Sequence, residues 1–324
     1  MIHRVIEPFV CLTLIAIGLV GCDEIVKERL DPARSTVSRH LLDRCGVDND
    51  GSYVSMSGGD VVLTSRQSHS EVLASYNSNH YSPLISPNND KVVTFHYEEG
   101  KGYVHLSTFR SGVERDFPLG QAIAVPVAFS CDGGLLLLHK YSSDGIGQGV
   151  VMRSIVLNLT SGISDEIGDK AVVDSSGTHL LTFENGILWK SFLGSKGTKR
   201  RITTGLVPIA LSNDGMKAIV SASDQVLQLL DLGSGEYRPI ANGHSALFMA
   251  SGRSIAVVSG DENKISIVRI DEKSEEVLSK WQNYNSIPIQ SSNGRFFVFE
   301  KFEGGTSRKV FVYDEESNSL AILK

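Results

Sequence analysis

The chain has 324 residues, of which 41% are apolar and 21% are charged, a globular composition that excludes collagen and long coiled coils. Lys and Arg together number 31 against 37 Asp and Glu, which gives a formal net charge of −6. This acidic balance argues against a nucleic-acid-binding surface, because such a surface needs an excess of basic residues.

The first 21 residues predict a signal peptide. Residues 9–20 are an apolar run preceded by Arg4, and the run is shorter than the roughly twenty residues that a spanning helix needs. The run ends in Leu19-Val20-Gly21-Cys22, which resembles the bacterial lipoprotein box. The resemblance implies that Cys22 is acylated, becomes the first residue of the mature chain and holds it on a membrane. The alternative is an ordinary secretory signal in which Cys22 has no role.

Residues 22–49 form the predicted lipidated tether. Asp23 resembles the sorting signal that keeps lipoproteins of enteric-type bacteria on the periplasmic face of the inner membrane, which favours the inner membrane over the outer. Asp31-Pro32 is a plausible helix start, so a short helix is expected over residues 32–44. A solvated linker is the alternative.

The cysteines and histidines predict no metal site and no cofactor. Cys45 and Cys131 remain in the mature chain beside Cys22, and a periplasmic location permits a disulfide between them; two separate buried thiols are the alternative. Neither cysteine has a partner at a spacing typical of zinc sites. The histidines are scattered, and we expect packing roles for them. The histidines of the mature chain are His40, His69, His80, His96, His105, His139, His179 and His244.

A four-residue turn, Ser-x-x-Gly or a variant of it, recurs through residues 50–324. An apolar stretch precedes each turn and a β-rich stretch follows it. The copies are Ser55–Gly58, Ser86–Asn89, Ser130–Gly133, Asp174–Gly177, Ser212–Gly215, Met249–Gly252 and Ser291–Gly294. Their fourth positions lie on average about 39 residues apart, which is the length of a four-stranded propeller blade. Each unit is therefore predicted to contain an innermost strand, the turn, two further strands and a more polar outer strand.

The pattern of Ile209–Gly215 followed by Asp231–Gly235 resembles the TolB-type and WD40-like β-propellers. The resemblance implies an all-β propeller over residues 50–324. Seven blades are favoured, and six blades with an irregular lead-in are the alternative. The last unit has all four of its strands, so we expect the ring to close by packing of the first blade on the last and not by exchange of a strand.

No motif of a hydrolase, metalloprotease or nucleotide-binding loop occurs in the chain, so we predict that it is not an enzyme. Three connections between second and third strands are expected to be long loops at one end of the ring, and exposed loops on a rigid scaffold commonly carry binding residues. The candidate contact residues are Lys101, Tyr141, Asp144, Lys301 and Glu303.

The sequence thus predicts a membrane-anchored, non-catalytic scaffold of the bacterial envelope that presents one face of a propeller to a partner protein. Two alternatives remain open at this point. A propeller-type hydrolase or lyase predicts clustered carboxylates and histidines at the mouth of the channel. A sensor of small ligands or glycans predicts aromatic side chains converging on the channel.

Overall fold

The computed structural model describes residues 46–323 apart from several short gaps. The gaps are residues 58, 68, 77–79, 110, 144–149, 196, 198, 223–225, 260–263, 271–274, 282–287 and 303–307. The predicted signal peptide, the lipidation site Cys22, the short helix over 32–44 and Cys45 lie outside the described residues, so they stay predictions. Within this part of the chain, no helix is long and apolar enough to cross a membrane.

Seven antiparallel four-stranded sheets confirm the predicted seven-bladed, all-β propeller. In every blade the strands follow one another in chain order. Blade 1 contains β1 (Gly46–Val47), β2 (Tyr53–Ser57), β3 (Asp60–Thr64) and β4 (Ser70–Ser75); blade 2 contains β5 (His80–Ile85), β6 (Lys91–Glu98), β7 (Lys101–Thr108) and β8 (Val113–Pro118); blade 3 contains β9 (Ile123–Phe129), β10 (Leu135–Ser143), β11 (Val150–Asn158) and β12 (Ser164–Gly168). Blade 4 contains β13 (Lys170–Val173), β14 (His179–Glu184), β15 (Ile187–Phe192) and β16 (Arg200–Thr204); blade 5 contains β17 (Val207–Leu211), β18 (Lys217–Ser221), β19 (Val226–Asp231) and β20 (Tyr237–Asn242); blade 6 contains β21 (Ser245–Phe248), β22 (Ser254–Ser259), β23 (Lys264–Ile270) and β24 (Glu275–Trp281); blade 7 contains β25 (Ile289–Gln290), β26 (Phe296–Phe302), β27 (Arg308–Asp314) and β28 (Ser319–Leu323).

The recurring turn joins the first and second strands of every blade. In all seven copies the N–H of the fourth residue donates to the carbonyl of the first, at 2.8–3.3 Å. The fourth residue has a φ between 53° and 80°, a left-handed conformation that suits Gly and Asn because a β-branched side chain would clash there. This geometry explains why six copies end in Gly and one in Asn.

The first copy of the turn differs from the prediction. Ser55 lies inside β2, and the turn of blade 1 is Asp48–Gly51, where the Asp48 carboxylate accepts the N–H groups of Asp50 and Ser52 at 2.9 and 2.8 Å. Blade 1 therefore begins at Gly46, four residues before the predicted boundary, and it contains four strands. The first unit looked short in the sequence because it was counted from the wrong turn: position 58 lies 31 residues before Asn89, whereas Gly51 lies 38 residues before it.

The core lies between the blades. Seven clusters of buried apolar residues fill the seven contacts between neighbouring blades. The cluster between blades 7 and 1 joins Val47 and Tyr53 to Phe296, Val298 and Val312. Since the strands of blades 1 and 7 stay in their own sheets, the ring closes by face packing, as predicted.

Candidate functional site

The first strand of each blade lines a central channel. The cavity holds about 340 Å³, and residues from β1, β5, β9, β13, β17, β21 and β25 contribute to its wall. Most of the lining side chains are aliphatic or aromatic, such as Ile85, Val127, Ile209 and Leu247. A concave, largely apolar surface with a few polar groups is the usual form of a binding site.

Lys170 is the cation of the channel wall. It opens β13 and is partly exposed, and burial lowers the pKa of its amine to about 8. Among the described residues, this amine has neither a hydrogen bond nor an ion pair. A desolvated, unpaired ammonium attracts an anionic ligand group, because pairing with an anion would favour its charged form.

Two other polar residues of the wall are engaged by the fold. The Asp174 carboxylate accepts the N–H of Thr178 at 2.7 Å and contacts Nδ1 of His179 at 3.0 Å. Nε2 of His139 lies 2.8 Å from the carbonyl oxygen of Ala171. These groups fix the turn of blade 4 and its contact with blade 3.

The seven recurring turns surround one end of the channel, and side chains connect several neighbouring turns. The amide of Asn49 is the clearest case, because it lies where blade 1 meets blade 7. Its Oδ1 accepts the Asn293 N–H at 2.8 Å and the Ser292 hydroxyl at 2.9 Å, while its Nδ2 donates to the Pro87 carbonyl at 3.1 Å. The Asn49 side chain thus connects blades 7, 1 and 2. The connected turns form a rigid frame around the channel opening.

The candidate contact residues occupy different places from those expected. Lys101 is exposed but is the first residue of β7, because a two-residue turn with positive φ at Glu99 and Gly100 joins β6 to β7. Tyr141 lies in β10 and lines the channel, and Lys301 lies in β26. The prediction that these three belong to long loops was wrong, because their strands extend further than the apolar runs indicate. Asp144 and Glu303 lie outside the described residues, so the proposed contact surface stays a prediction.

Cys131 is exposed in the turn of blade 3 and carries a free thiol in the described part of the chain. Its predicted partner, Cys45, lies outside the described residues. The disulfide therefore stays a prediction.

The histidines are less scattered in space than in sequence. His96, His105 and Asp116 bring one potential ligand atom each within 4.8 Å of one another, on three neighbouring strands of blade 2. The sequence predicted packing roles for His96 and His105 and gave no role to Asp116. A signal that could have grouped them is the pairing register of β6, β7 and β8, which a single sequence does not specify.

Comparisons with known proteins identify the fold. No family model and no curated protein matches the chain. Among solved structures, TolB from Acinetobacter baumannii matches with 16% identity and a TM-score of 0.52, over 84% of this chain and 59% of that protein. A prolyl endopeptidase, from a structural and mechanistic study of two such enzymes, matches with 11% identity and a TM-score of 0.60, over 87% of this chain and 49% of the enzyme.

Both matches lie below 25% identity, and the chain spans only about half to three fifths of the proteins that it matches. They therefore establish the architecture. The chain is a seven-bladed β-propeller whose fold is similar to that of TolB.

Proposed function

We propose that the protein is a non-catalytic, protein-binding scaffold of the bacterial cell envelope, anchored by lipid at Cys22 on the periplasmic side of the inner membrane. The observation that carries the proposal is the channel, whose wall combines apolar side chains with the cation of Lys170, which is unpaired within the described part of the chain. The lipoprotein box and Asp23 support the anchor and its location.

The channel suits an extended segment of a partner protein. Its apolar wall would bury one or two side chains of that segment, and an acidic side chain or a terminal carboxylate would pair with Lys170. Such an ion pair would stabilise the charged form of the lysine and offset the desolvation that lowers its pKa. The frame of connected turns keeps the opening in one shape, so little conformational entropy is lost on binding.

Photocrosslinking tests where the partner binds. A photoreactive amino acid replaces Ser245, which lines the channel, in the membrane-bound protein; the matched control replaces Tyr237, which is exposed on the outer strand β20. We expect a discrete protein crosslink from position 245 and none from position 237. Lys170→Met should weaken the crosslink at least about tenfold if an anion pairs with this lysine, since one such pair is worth more than about 1.4 kcal/mol. Equal crosslinking from both positions would contradict the proposal.

The anchor is tested separately with Cys22→Ser. We expect the wild-type chain to incorporate a radiolabelled fatty acid and to fractionate with the inner membrane, and the variant to do neither. Because the proposed binding in the channel does not use Cys22, the soluble variant should give the same crosslink from position 245. Different crosslinked proteins from the two forms would contradict a common scaffold role.

A further inference from the structure

One face of blade 2 carries an unusual group of imidazoles. Within β6, β7 and β8, alternate residues point toward blade 1, and this set includes His96, His105 and Asp116. His105 pairs directly with Asp116 across the strands and with Thr94 on the other side, which places His96 on the diagonal. Residues that are opposite or diagonal on one face of a sheet lie within reach of long side chains.

The three side chains converge on one carboxylate oxygen. Oδ1 of Asp116 lies 3.1 Å from Nε2 of His96 and 2.7 Å from Nδ1 of His105. Burial alone would raise the pKa of Asp116, but the hydrogen bonds with His105 and His96 outweigh it and hold the pKa below its usual value. Asp116 is therefore an anion at neutral pH and faces two nitrogen atoms.

The surroundings already orient both imidazoles. The second nitrogen of His105, Nε2, lies 3.2 Å from the Ser107 hydroxyl, and Tyr76 of blade 1 contacts the same hydroxyl at 2.7 Å. The Ser107 hydroxyl can donate to or accept from Nε2, so this contact orients the ring of His105 with Nδ1 toward Asp116. Metal binding would release the proton through which Nδ1 is hydrogen-bonded to the carboxylate. Metal-binding histidines are commonly held by a hydrogen bond of this kind at their other nitrogen.

His96 is held by ring stacking. Its ring lies between His80, at a centroid distance of 4.6 Å, and Tyr103, at 5.0 Å. Its Nδ1 is buried without a hydrogen-bond partner among the described residues. The fold thus uses the polar atoms of this buried ring only through the nitrogen that faces Asp116. Burying an imidazole costs folding free energy unless its nitrogen atoms form hydrogen bonds or bind a ligand.

We propose that His96, His105 and Asp116 form a binding site for a divalent transition metal of the zinc class. Two imidazole nitrogens and one carboxylate oxygen suit Zn²⁺ and its neighbours, whereas Ca²⁺ and Mg²⁺ prefer sets of oxygen ligands. Side-chain shifts of about 1 Å would place the two nitrogen atoms and the carboxylate oxygen around one central point, at the zinc–ligand distance of about 2.0–2.2 Å.

The site would keep one position open. Asp116 lies on the outer strand of blade 2, and its side chain is 49% exposed, whereas His96 and His105 are buried. A metal held by these three ligands would therefore meet water or an external ligand from the rim of the propeller. This site lies outside the channel on which the proposed function depends, so either proposal can be wrong without affecting the other.

Metal titration tests the site. The full chain, purified in detergent without a polyhistidine tag and stripped with a chelator, is titrated with ZnCl₂ against a competing indicator and with CoCl₂ by absorption spectroscopy. We expect one high-affinity Zn²⁺ per chain, a Co²⁺ spectrum of low coordination number, and no response to MgCl₂ or CaCl₂ at the same concentrations.

Variants assign the ligands. Asp116→Asn and His105→Gln should each weaken Zn²⁺ binding at least about tenfold. The matched control is His179→Gln, which alters another histidine in contact with an aspartate, Asp174, but leaves the proposed site intact; its affinity should equal that of the wild type. Circular dichroism of the metal-free proteins establishes that each variant folds. If a variant does not fold, Ser107→Ala provides the second test, because loss of the bond to His105 should weaken binding while all three ligands remain.

Two results would overturn the proposal. One is a folded wild-type chain that binds no Zn²⁺ at 100-fold excess over protein. The other is Zn²⁺ binding that Asp116→Asn and His105→Gln leave unchanged, which would place the metal elsewhere.

Discussion

The two faces of blade 2 are built from alternate residues of the same strands, yet they differ completely in chemistry. The face toward blade 3 is apolar and contributes Val93, Phe95, Val104, Leu106 and Phe117 to the largest buried cluster of the described chain. The face toward blade 1 pairs a few aliphatic residues, among them Val92, with the imidazoles and hydroxyls around Asp116. A propeller needs only that each blade be covered on both sides. The contrast shows that one side can carry stability while the other carries polar chemistry.

The largest expected effect is on the apolar face. Phe95 is 1% exposed, so Phe95→Ala should lower the free energy of unfolding by about 3–5 kcal/mol through lost burial and the cavity that remains. Urea unfolding followed by circular dichroism measures it. Phe192→Ala is the matched control, because Phe192 is 56% exposed and its loss should cost less than about 1 kcal/mol. Similar losses from both variants would mean that the contact between blades 2 and 3 contributes little.

The polar face should make stability depend on pH. Burial, together with repulsion from His96 and His105, lowers the pKa of His80 to about 3. In the unfolded chain this histidine has its ordinary pKa near 6.5, so the unfolded state takes up the proton first as the pH falls. Stability is therefore complete above pH 6.5 and is lost progressively down to pH 3, by about 3 kcal/mol between pH 7 and pH 4.

His80→Asn removes this titration and isolates it from other acid effects. The variant keeps a polar atom near Thr94, to which Nδ1 of His80 lies at 2.7 Å. Unfolding in urea at pH 7 and pH 4, with a chelator present, should show a smaller loss for His80→Asn than for the wild type. His69→Asn, at an exposed position, should behave like the wild type. If all three proteins lose the same stability between pH 7 and pH 4, the titration of His80 does not cause the pH dependence.

A smaller effect is expected where the apolar face is already full. A methyl group on Gly102 would overlap the carbonyl oxygen of Ala122 in the segment that enters blade 3 and would lie 2.9 Å from the ring of Phe95. Gly102→Ala should therefore lower the melting temperature, and it should lower the free energy of unfolding by about 1–3 kcal/mol. At Gly197 nothing lies within 4 Å of such a methyl group, so Gly197→Ala should leave stability unchanged or slightly higher. A tolerated Gly102→Ala would show that blades 2 and 3 can move apart.

The smallest effect tests how firmly blade 1 holds the polar face. Tyr76→Phe removes the 2.7 Å hydrogen bond to Ser107 and leaves the stacking of its ring on His80 intact. The free energy of unfolding, measured in urea, should fall by about 1 kcal/mol, which is the usual net contribution of one hydrogen bond. Tyr237→Phe, at an exposed position, is the control and should change nothing measurable. A loss well above that of one hydrogen bond would mean that the imidazoles rearrange when Ser107 loses this partner.

The sequence predicted the blades well because the signal for a blade is local. The turn needs a residue that tolerates positive φ, and continuous apolar runs such as Leu135–Leu138 indicate a strand covered on both faces. Blade 1 was misplaced because the segment that begins at Ser55 has the residue pattern of the turn but starts inside β2, whereas the turn itself is Asp48–Gly51.

The sites were harder to predict because they depend on pairing between strands. His96, His105 and Asp116 are separated by about ten residues each, and only the register of β6, β7 and β8 brings them together. The isolation of Lys170 likewise depends on which side chains surround it in the channel. Tyr141 was chosen as a loop residue, and the extension of β10 places it in the channel wall instead.

The way in which the ring closes has a mechanical consequence. Every sheet within the described residues is one uninterrupted stretch of chain, so parting blades 1 and 7 would break side-chain contacts, including those of Asn49 and the Arg66–Asp314 ion pair, but no ladder of a sheet. The contact between blades 1 and 7 is therefore where the ring can open without unfolding a blade. For the same reason, circular permutants whose new ends fall between two blades, with the old ends joined by a linker, should keep all seven sheets intact.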